Sequence, residues 1–559
     1  MSQTNRSYTR APVKAPKVSG LALKAFVAAL ESPAGGPIAD KLLADSGYLD
    51  FLGLDAGACT PLPPPLPHPS PLPTTASPTA LAAAAIDGAD SSGERESVAA
   101  FAKAYKDGLS PVAVVEKIEV AVARAAADNM AFFIARKPEA LMAAAVASAE
   151  RHKRGAPLSA LDGVPVVIKD ELDIEGFATT LGTSFRKSIA AADSTIVARL
   201  KAAGALVVGK GNMNEIGINP IGLNPHWGAC RNPYNRGHIT GGSSSASAAT
   251  VAAGLAPISI GADGGGSIRI PAALCGVVGL KATHGRIPET GIPPLCWTHG
   301  HAGPLGLTVA DVAAAYAIIA GPDGHDTASD KQPPPSLDDL HSGDVAGLRI
   351  GVCRAYFEDA DADVVKHCRD ALNALEARGA KVVEIPPPDL NRILWSHAII
   401  ILSEMATGVR DDVLKDKSRF AYDSRTNLAL GRRFSATDYV HAMRHRHGLT
   451  VEALKLMHDV DVIATPTTAT TAPPIPESTL PDGESNLPVV DGLMRFIRMG
   501  NLTGFPAISV PCGFDANGLP IGFHVMGRPW EEHVLLRVAA VVEEAVEVRI
   551  PAWHTRLLA

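Results

Sequence analysis

From residue 95 onward the chain alternates between two patterns of apolar residues, one recurring every three to four positions and one forming short unbroken runs. The first marks helices with one buried stripe, and the second marks strands buried on both faces. Helices are expected over 97–106, 111–127 and 138–153, with Ser110 before Pro111 supplying a cap and first-turn pair. A strand over 164–168, a helix over 194–202 and a strand over 206–208 follow. Next come a helix over 246–253, a strand over 258–261 and a helix over 268–274. Residues 322–342, rich in Pro, Asp and Ser, form a surface excursion. Beyond it, strands over 348–351 and 381–383 flank a helix over 361–378. Residues 389–457 are helical in pattern, and strands over 462–464, 507–510 and 521–525 precede a closing helix over 531–544. Short apolar strands alternating with helices predict an α/β fold around a buried mixed sheet.

The first 94 residues differ from the rest. Residues 1–20 are basic and polar and read as frayed, and 21–30 and 38–52 are short amphipathic helices. Residues 61–78 are rich in proline and serine and exclude a helix or central strand, so they read as a connector. The chain therefore divides into an N-terminal extension over 1–94 and a catalytic body over 95–559. Apolar residues make up 46% of the 559 and charged residues 19%, ample for a large core. A net charge of −7 supports no nucleic-acid partner. The seven cysteines are scattered without a C-x-x-C, which favours reduced buried thiols over a disulfide framework. No secretory leader pattern opens the chain, and no run approaches the ~18 apolar residues of a membrane span. The expected location is cytoplasmic or peripherally membrane-associated.

Chemistry concentrates in two glycine–serine nests and one lysine. Gly241-Gly242-Ser243-Ser244-Ser245 and Asp263-Gly264-Gly265-Gly266-Ser267 are separated by a helix and a strand, and Lys169 ends the apolar strand Val166-Val167-Ile168-Lys169. Glycines let several backbone N–H groups converge on one point. Ser267 is the candidate nucleophile, with an oxyanion hole from the N–H groups of Gly264, Gly265, Gly266 and Ser267. A plain turn with a capping serine is the competing reading. Lys169 is either a snorkelling edge residue or, if buried and uncharged, a general base. Asp170 must then turn away from it. Ser243 can relay a proton between Ser267 and Lys169, because a hydroxyl both donates and accepts. No His, Cys, Asp or Glu cluster has metal-ligand spacing, and no cofactor or metal is expected.

These residues resemble the amidase signature family, in which a GGSS-containing nest precedes a glycine-rich element ending in serine, with a lysine upstream. The resemblance spans about residues 95–545. It departs from the family at Ser245-Ala246, where glycines are usual. It implies an amidase signature fold, a large mixed twisted β-sheet core covered by helices on both faces. It also implies a triad of Lys169 as base, Ser243 as bridge on a cis peptide after Gly242, and Ser267 as the acylated nucleophile. Ser244, Asp263 and Arg269 would support the triad, and Asn212 and Glu215 would anchor a nearby loop. Within the family the chain is most similar to plant-type fatty acid amide hydrolases, through Arg151–Glu171 (RHKRGAPLSALDGVPVVIKDE), Asn224-Pro225-His226-Trp227-Gly228 and DGGGSIR over 263–269. Met130-Ala131-Phe132-Phe133, PPLCWTHG over 293–300 and PKVSGLALKAF over 16–26 carry the same likeness. The implied substrate is a small-molecule amide with an apolar acyl chain, such as an N-acylethanolamine, with esters also cleaved. A small or aryl amide, or glutamine as in the A-type component of an amidotransferase, is the alternative. Relatives of this kind commonly dimerise and some associate with membrane surfaces, so a homodimer is expected here and peripheral membrane contact stays open. Met213, Ile216, Trp297, Trp395, Met405 and Phe505 are candidates for an acyl-binding wall.

Overall fold

The computed structural model describes residues 8, 10, 17–33, 35–62, 66–67, 76–480 and 482–559. Most of the expected frayed segment over 1–20 and of the connector over 61–78 lies outside the described residues. The strands are β1 (Val18–Ser19), β2 (Phe133–Ala135), β3 (Pro165–Lys169), β4 (Leu206–Gly211), β5 (Ile258–Ala262), β6 (Val278–Lys281) and β7 (Ala302–Gly306). They continue with β8 (Arg349–Val352), β9 (Lys381–Glu384), β10 (Val462–Pro466), β11 (Glu484–Ser485), β12 (Ala507–Phe514) and β13 (Pro520–Gly527). Among the described residues, eleven form one mixed sheet in the order β2-β4-β3-β5-β7-β6-β12-β13-β10-β8-β9, and β1 pairs with β11 alone. Parallel pairs β4-β3-β5 and β10-β8-β9 lie toward the flanks, antiparallel pairs fill the centre, and β2 adds antiparallel to β4 at one edge. The fold is α/β, as expected.

Helices cover both faces of the sheet. On one, the wholly buried helix Val309–Ile319 and the apolar stripe of Glu532–Glu544 pack against Leu280, Ile508 and Phe523. On the other, Arg269–Cys275 lies unusually close, because Gly279 and Gly522 present no side chain there. A Cβ on Gly279 would stand 2.8 Å from the Ala272 Cβ, and one on Gly522 2.5 Å from that of Ala273. This close approach seats the helix that follows Ser267. The helices Pro111–Ala127 and Pro138–Lys153 fall where the periodicity puts them. The stretch over 38–52 divides into Gly35–Asp45 and Tyr48–Leu52, broken at Gly47 with φ +87°. Strands β6 and β7 and helix Val309–Ile319 were not expected. Gly interrupts both strands and Pro304 the second, and the helix is apolar all round, so neither period stands out.

The N-terminal helices pack on the body. Tyr48 and Phe51 stack on Trp395 and on His441 and His445, and Pro78–Ile86 lies along Val309–Ile319. No helix among the described residues is long and apolar enough to cross a membrane.

Candidate active site

Strand alternation sends two neighbouring lysines to opposite faces of the sheet. In the β3–β4 pair Ile168 lies opposite Lys210 and Lys169 opposite Gly211, so Lys169 and Lys210 project to different sides. Lys169 is 1% exposed. Its Nζ donates to Ser243 Oγ at 2.8 Å and to the Ala262 carbonyl at 3.3 Å. Asp170 turns away, as required. Its Oδ2 accepts from the N–H groups of Thr180 and Gly182 and from the Thr180 hydroxyl, and its Oδ1 lies 3.1 Å from Lys210 Nζ. One neighbour corrects the expectation of an amine apart from carboxylates. Glu171 Oε2 stands 2.7 Å from Lys169 Nζ, at an angle outside hydrogen-bond geometry, and accepts no hydrogen bond among the described residues.

The Gly242–Ser243 peptide is cis. The segment carrying Ser243 is held by Asn214, whose N–H donates to the Ser243 carbonyl at 3.2 Å and whose Oδ1 accepts from Gly222 N–H at 2.7 Å. Asn214 was not among the expected site residues, although it sits in the same GNMNEIG run as Asn212 and Glu215. Asn212 Nδ2 donates to the Ala131 and Gly228 carbonyls, while Glu215 accepts from Ala421 N–H and pairs with His226 at 2.6 Å. Ser244 Oγ donates to the Ala262 carbonyl, the same acceptor that Lys169 uses, at 3.1 Å. Its contact is with strand β5 rather than with the amine itself.

Ser267 follows a loop clamped from within. Asp263 and Arg269 are buried, with Arg269 Nε 3.0 Å from Asp263 Oδ2. Burial pushes the Asp263 carboxyl up, but the Arg269 guanidinium and the Asn501 amide override it and hold it well below the usual carboxylate range. Arg269 also donates to the Ile497 carbonyl and to Asn501 Oδ1, tying the loop to a segment over 200 residues away. The ionised Asp263 accepts from Gly266 N–H at 2.6 Å and from Ile268 N–H at 3.2 Å. This corrects the four-donor oxyanion hole. Gly266 N–H is engaged by Asp263, which leaves those of Gly264, Gly265 and Ser267. On the far side, His397 Nε2 donates to the Gly264 carbonyl at 3.0 Å, and burial holds this imidazole neutral, pushed down to about 4. Among the described residues the Ser267 hydroxyl forms no hydrogen bond.

Lys169, Ser243 and Ser267 line one cavity of about 60 Å³, room for a few waters and not for a chain. Trp297, 44% exposed, and Met405 line it, joined by Ile218, Ile401 and Met494. Met213, Ile216, Trp395 and Phe505 do not. Trp395 is taken up by Tyr48, Phe505 packs in a core with Phe496, and Met213 and Ile216 stand behind the wall. A second cavity of about 300 Å³ shares Glu289, Ile292, Pro294, Trp297, Gly300 and His301 with the first. The partition between them is anchored by Glu404, which accepts from the Thr298 hydroxyl at 2.7 Å, and by Arg446, which donates to the Thr298 carbonyl. Burial, with Asp326 and Glu171 nearby, pushes the Glu289 carboxyl up to about 8.

A hydroxyl at the mouth of a converging N–H nest, beside a buried lysine–serine contact, is equipment for acyl transfer. The profile of the family described as Amidase matches residues 113–536. The chain belongs to that family. The amidase is 39% identical to a fatty acid amide hydrolase of Arabidopsis thaliana over 79% of this chain and 75% of the relative. It is 35% identical to the A-type component of a glutamyl-tRNA(Gln) amidotransferase of Chloroflexus aggregans, over 71% of this chain and 86% of that one. Its fold is similar to the solved peptide amidase of Stenotrophomonas maltophilia, with a TM-score of 0.71 and 26% identity across 83% of this chain and 100% of the other. The amidase is an amidohydrolase.

Proposed function

We propose that the amidase hydrolyses carboxylic amides through an acyl-enzyme on Ser267, with Ser243 relaying protons to Lys169, and that its substrates carry an apolar acyl chain. The observation that carries the chemistry is the 2.8 Å contact of Lys169 Nζ with Ser243 Oγ, buried in the cavity that Ser267 also lines. When the amine is uncharged the same contact reverses, and Ser243 donates to its lone pair. Ser267 Oγ then attacks the carbonyl carbon, and its proton passes to Ser243 as the Ser243 proton passes to Lys169. The oxyanion takes the N–H groups of Gly264, Gly265 and Ser267. As the C–N bond breaks, the proton returns from Lys169 through Ser243 to the leaving nitrogen. Water repeats the sequence on the acyl ester. Glu171 Oε2, 2.7 Å from Lys169 Nζ, is the second side chain that the amine faces beside Ser243.

The apolar acyl half rests on the walls and on the likeness to fatty acid amide hydrolases. Ile218, Ile401, Met405 and Met494 face the cavity, and flexible methionine side chains can yield to a chain that the closed space does not hold. A series of N-acylethanolamines of rising chain length tests this. Each newly buried methylene should raise kcat/KM by up to ~4-fold until the walls are filled. A flat or falling series, or turnover of free glutamine instead, overturns the acyl assignment.

A further inference from the structure

Asn219 belongs to the wall of the catalytic cavity, yet its side chain points into a polar knot that the chemistry above does not use. Its Nδ2 donates to Asp423 Oδ2 at 3.2 Å, and Asp423 and Ser424 open the helix Tyr422–Gly431. Asn219, Asp423 and Ser424 are 6%, 5% and 1% exposed. Asn219 Oδ1, Asp423 Oδ1 and Ser424 Oγ nevertheless have no hydrogen-bond partner among the described residues. Native interiors rarely leave three such atoms orphaned together, and each one disfavours the empty site. Asn219 Oδ1 only accepts, and so does the Asp423 carboxyl once ionised, which burial and then Glu215 put off to about 7, so above that value the knot is short of donors. No cation pairs with Asp423 among the described residues, and its charged neighbour is another carboxylate, Glu215. Gly483, at φ +83°, keeps the space before Asp423 Oδ1 open, since a Cβ there would stand 3.1 Å from that oxygen.

Asn219, the member of the knot on the cavity wall, is also near Ser243. A Cβ on Gly217 would stand 3.3 Å from Ser243 Oγ, and Asn219 lies two residues on, a span of at most ~7 Å. We propose that Asn219, Asp423 and Ser424 form a polar subsite that receives a hydrogen-bond donor, a hydroxyl or an ammonium, carried by the substrate a few bonds from the scissile carbonyl. This rests on the proposed hydrolysis at Ser267 and deepens it. Such a donor has two sources, the leaving amine or the acyl chain. An otherwise apolar substrate lacking it leaves the three oxygens unpaired, and buried sites built to hydrogen-bond a hydroxyl or amine discriminate strongly against analogues without one.

The test uses the full chain and matched substrate pairs. For the leaving group, N-octanoylpropylamine is set against N-octanoylethanolamine. For the acyl chain, hexanoyl p-nitroanilide is set against its 6-hydroxy and 6-amino counterparts. The expected result is a preference of at least ~10-fold in kcat/KM for the donor-bearing member in one arm, falling below ~3-fold in Asp423→Leu and in the milder Ser424→Ala. The arm that responds identifies the source of the donor. Equal rates within both pairs, or a preference that survives both variants, overturns the subsite. If Asp423→Leu does not fold, as judged by its melting, Ser424→Ala decides alone. Fluorophosphonate labelling of Ser267, run alongside, separates the two levels. A labelled Ser267 without donor preference sinks the subsite only, whereas no label at Ser267 sinks the hydrolysis reading beneath it.

Discussion

Lys169 and Lys210 are both fully buried, lie on adjacent strands, and each faces a carboxylate within about 3 Å. Lys210 donates to the Leu172 carbonyl at 2.8 Å and to Thr179 Oγ1 at 2.9 Å, in a closed setting on the other face of the sheet. Burial pulls its amine down even against Asp170. Lys169 faces the cavity and touches a hydroxyl that can pass a proton onward. Under the proposed mechanism, burial alone therefore does not make a lysine a base. What separates the two is whether a mobile proton can leave by way of Ser243 toward a substrate.

The largest expected effects lie on the Lys169 side. Ser267→Ala and Lys169→Met should each lose about 10³-fold or more in kcat with melting largely retained, as when one member of a hydrolase relay is removed. Lys210→Met should instead destabilise the fold by about 3–5 kcal/mol, because it strands the buried Asp170 carboxylate. Its kcat per folded molecule should fall far less than that of Lys169→Met, and equal losses would erase the distinction. Glu171→Gln sharpens the comparison. It replaces the carboxyl 2.7 Å from Lys169 Nζ with an amide of the same shape, so kcat should change by less than ~10-fold if Ser243 is the partner that carries the relay. A fall to the level of Lys169→Met would make Glu171 part of the base instead.

The smallest effect concerns Glu289, at the partition between the cavities. An unfolded Glu loses its proton near 4.5, whereas the folded carboxyl keeps it to about 8. Between those values the folded state binds more protons, so stability falls as pH rises through that window and levels off above it. Glu289→Gln should flatten the decline of Tm between pH ~5 and ~8 and raise Tm at the alkaline end. An unchanged slope would remove Glu289 as its source.

One side of this contrast, Lys169, was legible along the chain, and Lys210 was not singled out. Lys169 stood out because a charge at the end of an apolar run is costly unless used, and the serine-terminated glycine nests stood out because few other sequences bring N–H groups together. Helices with a clear 3.6-residue stripe, such as Pro111–Ala127, fell within a residue of their observed ends. The remainder depended on contacts between distant segments. Asn501 and His397 brace the Ser267 loop from 133 or more positions away, and nothing local marks them. Trp395 and Phe505 carried the right chemistry for a pocket wall, but tertiary packing gave them to Tyr48 and Phe496. The engagement of Gly266 N–H by Asp263 was equally hidden, since a glycine run declares that N–H groups converge and not which of them is already bonded.

The most direct test is mass spectrometry of the chain after reaction with a fluorophosphonate, comparing wild type with Lys169→Met. A phosphonyl group on Ser267 in the wild type is expected, with labelling slowed about 10³-fold or more in the variant. A label on any other residue, or equal rates in the two proteins, would contradict the relay from Ser267 through Ser243 to Lys169.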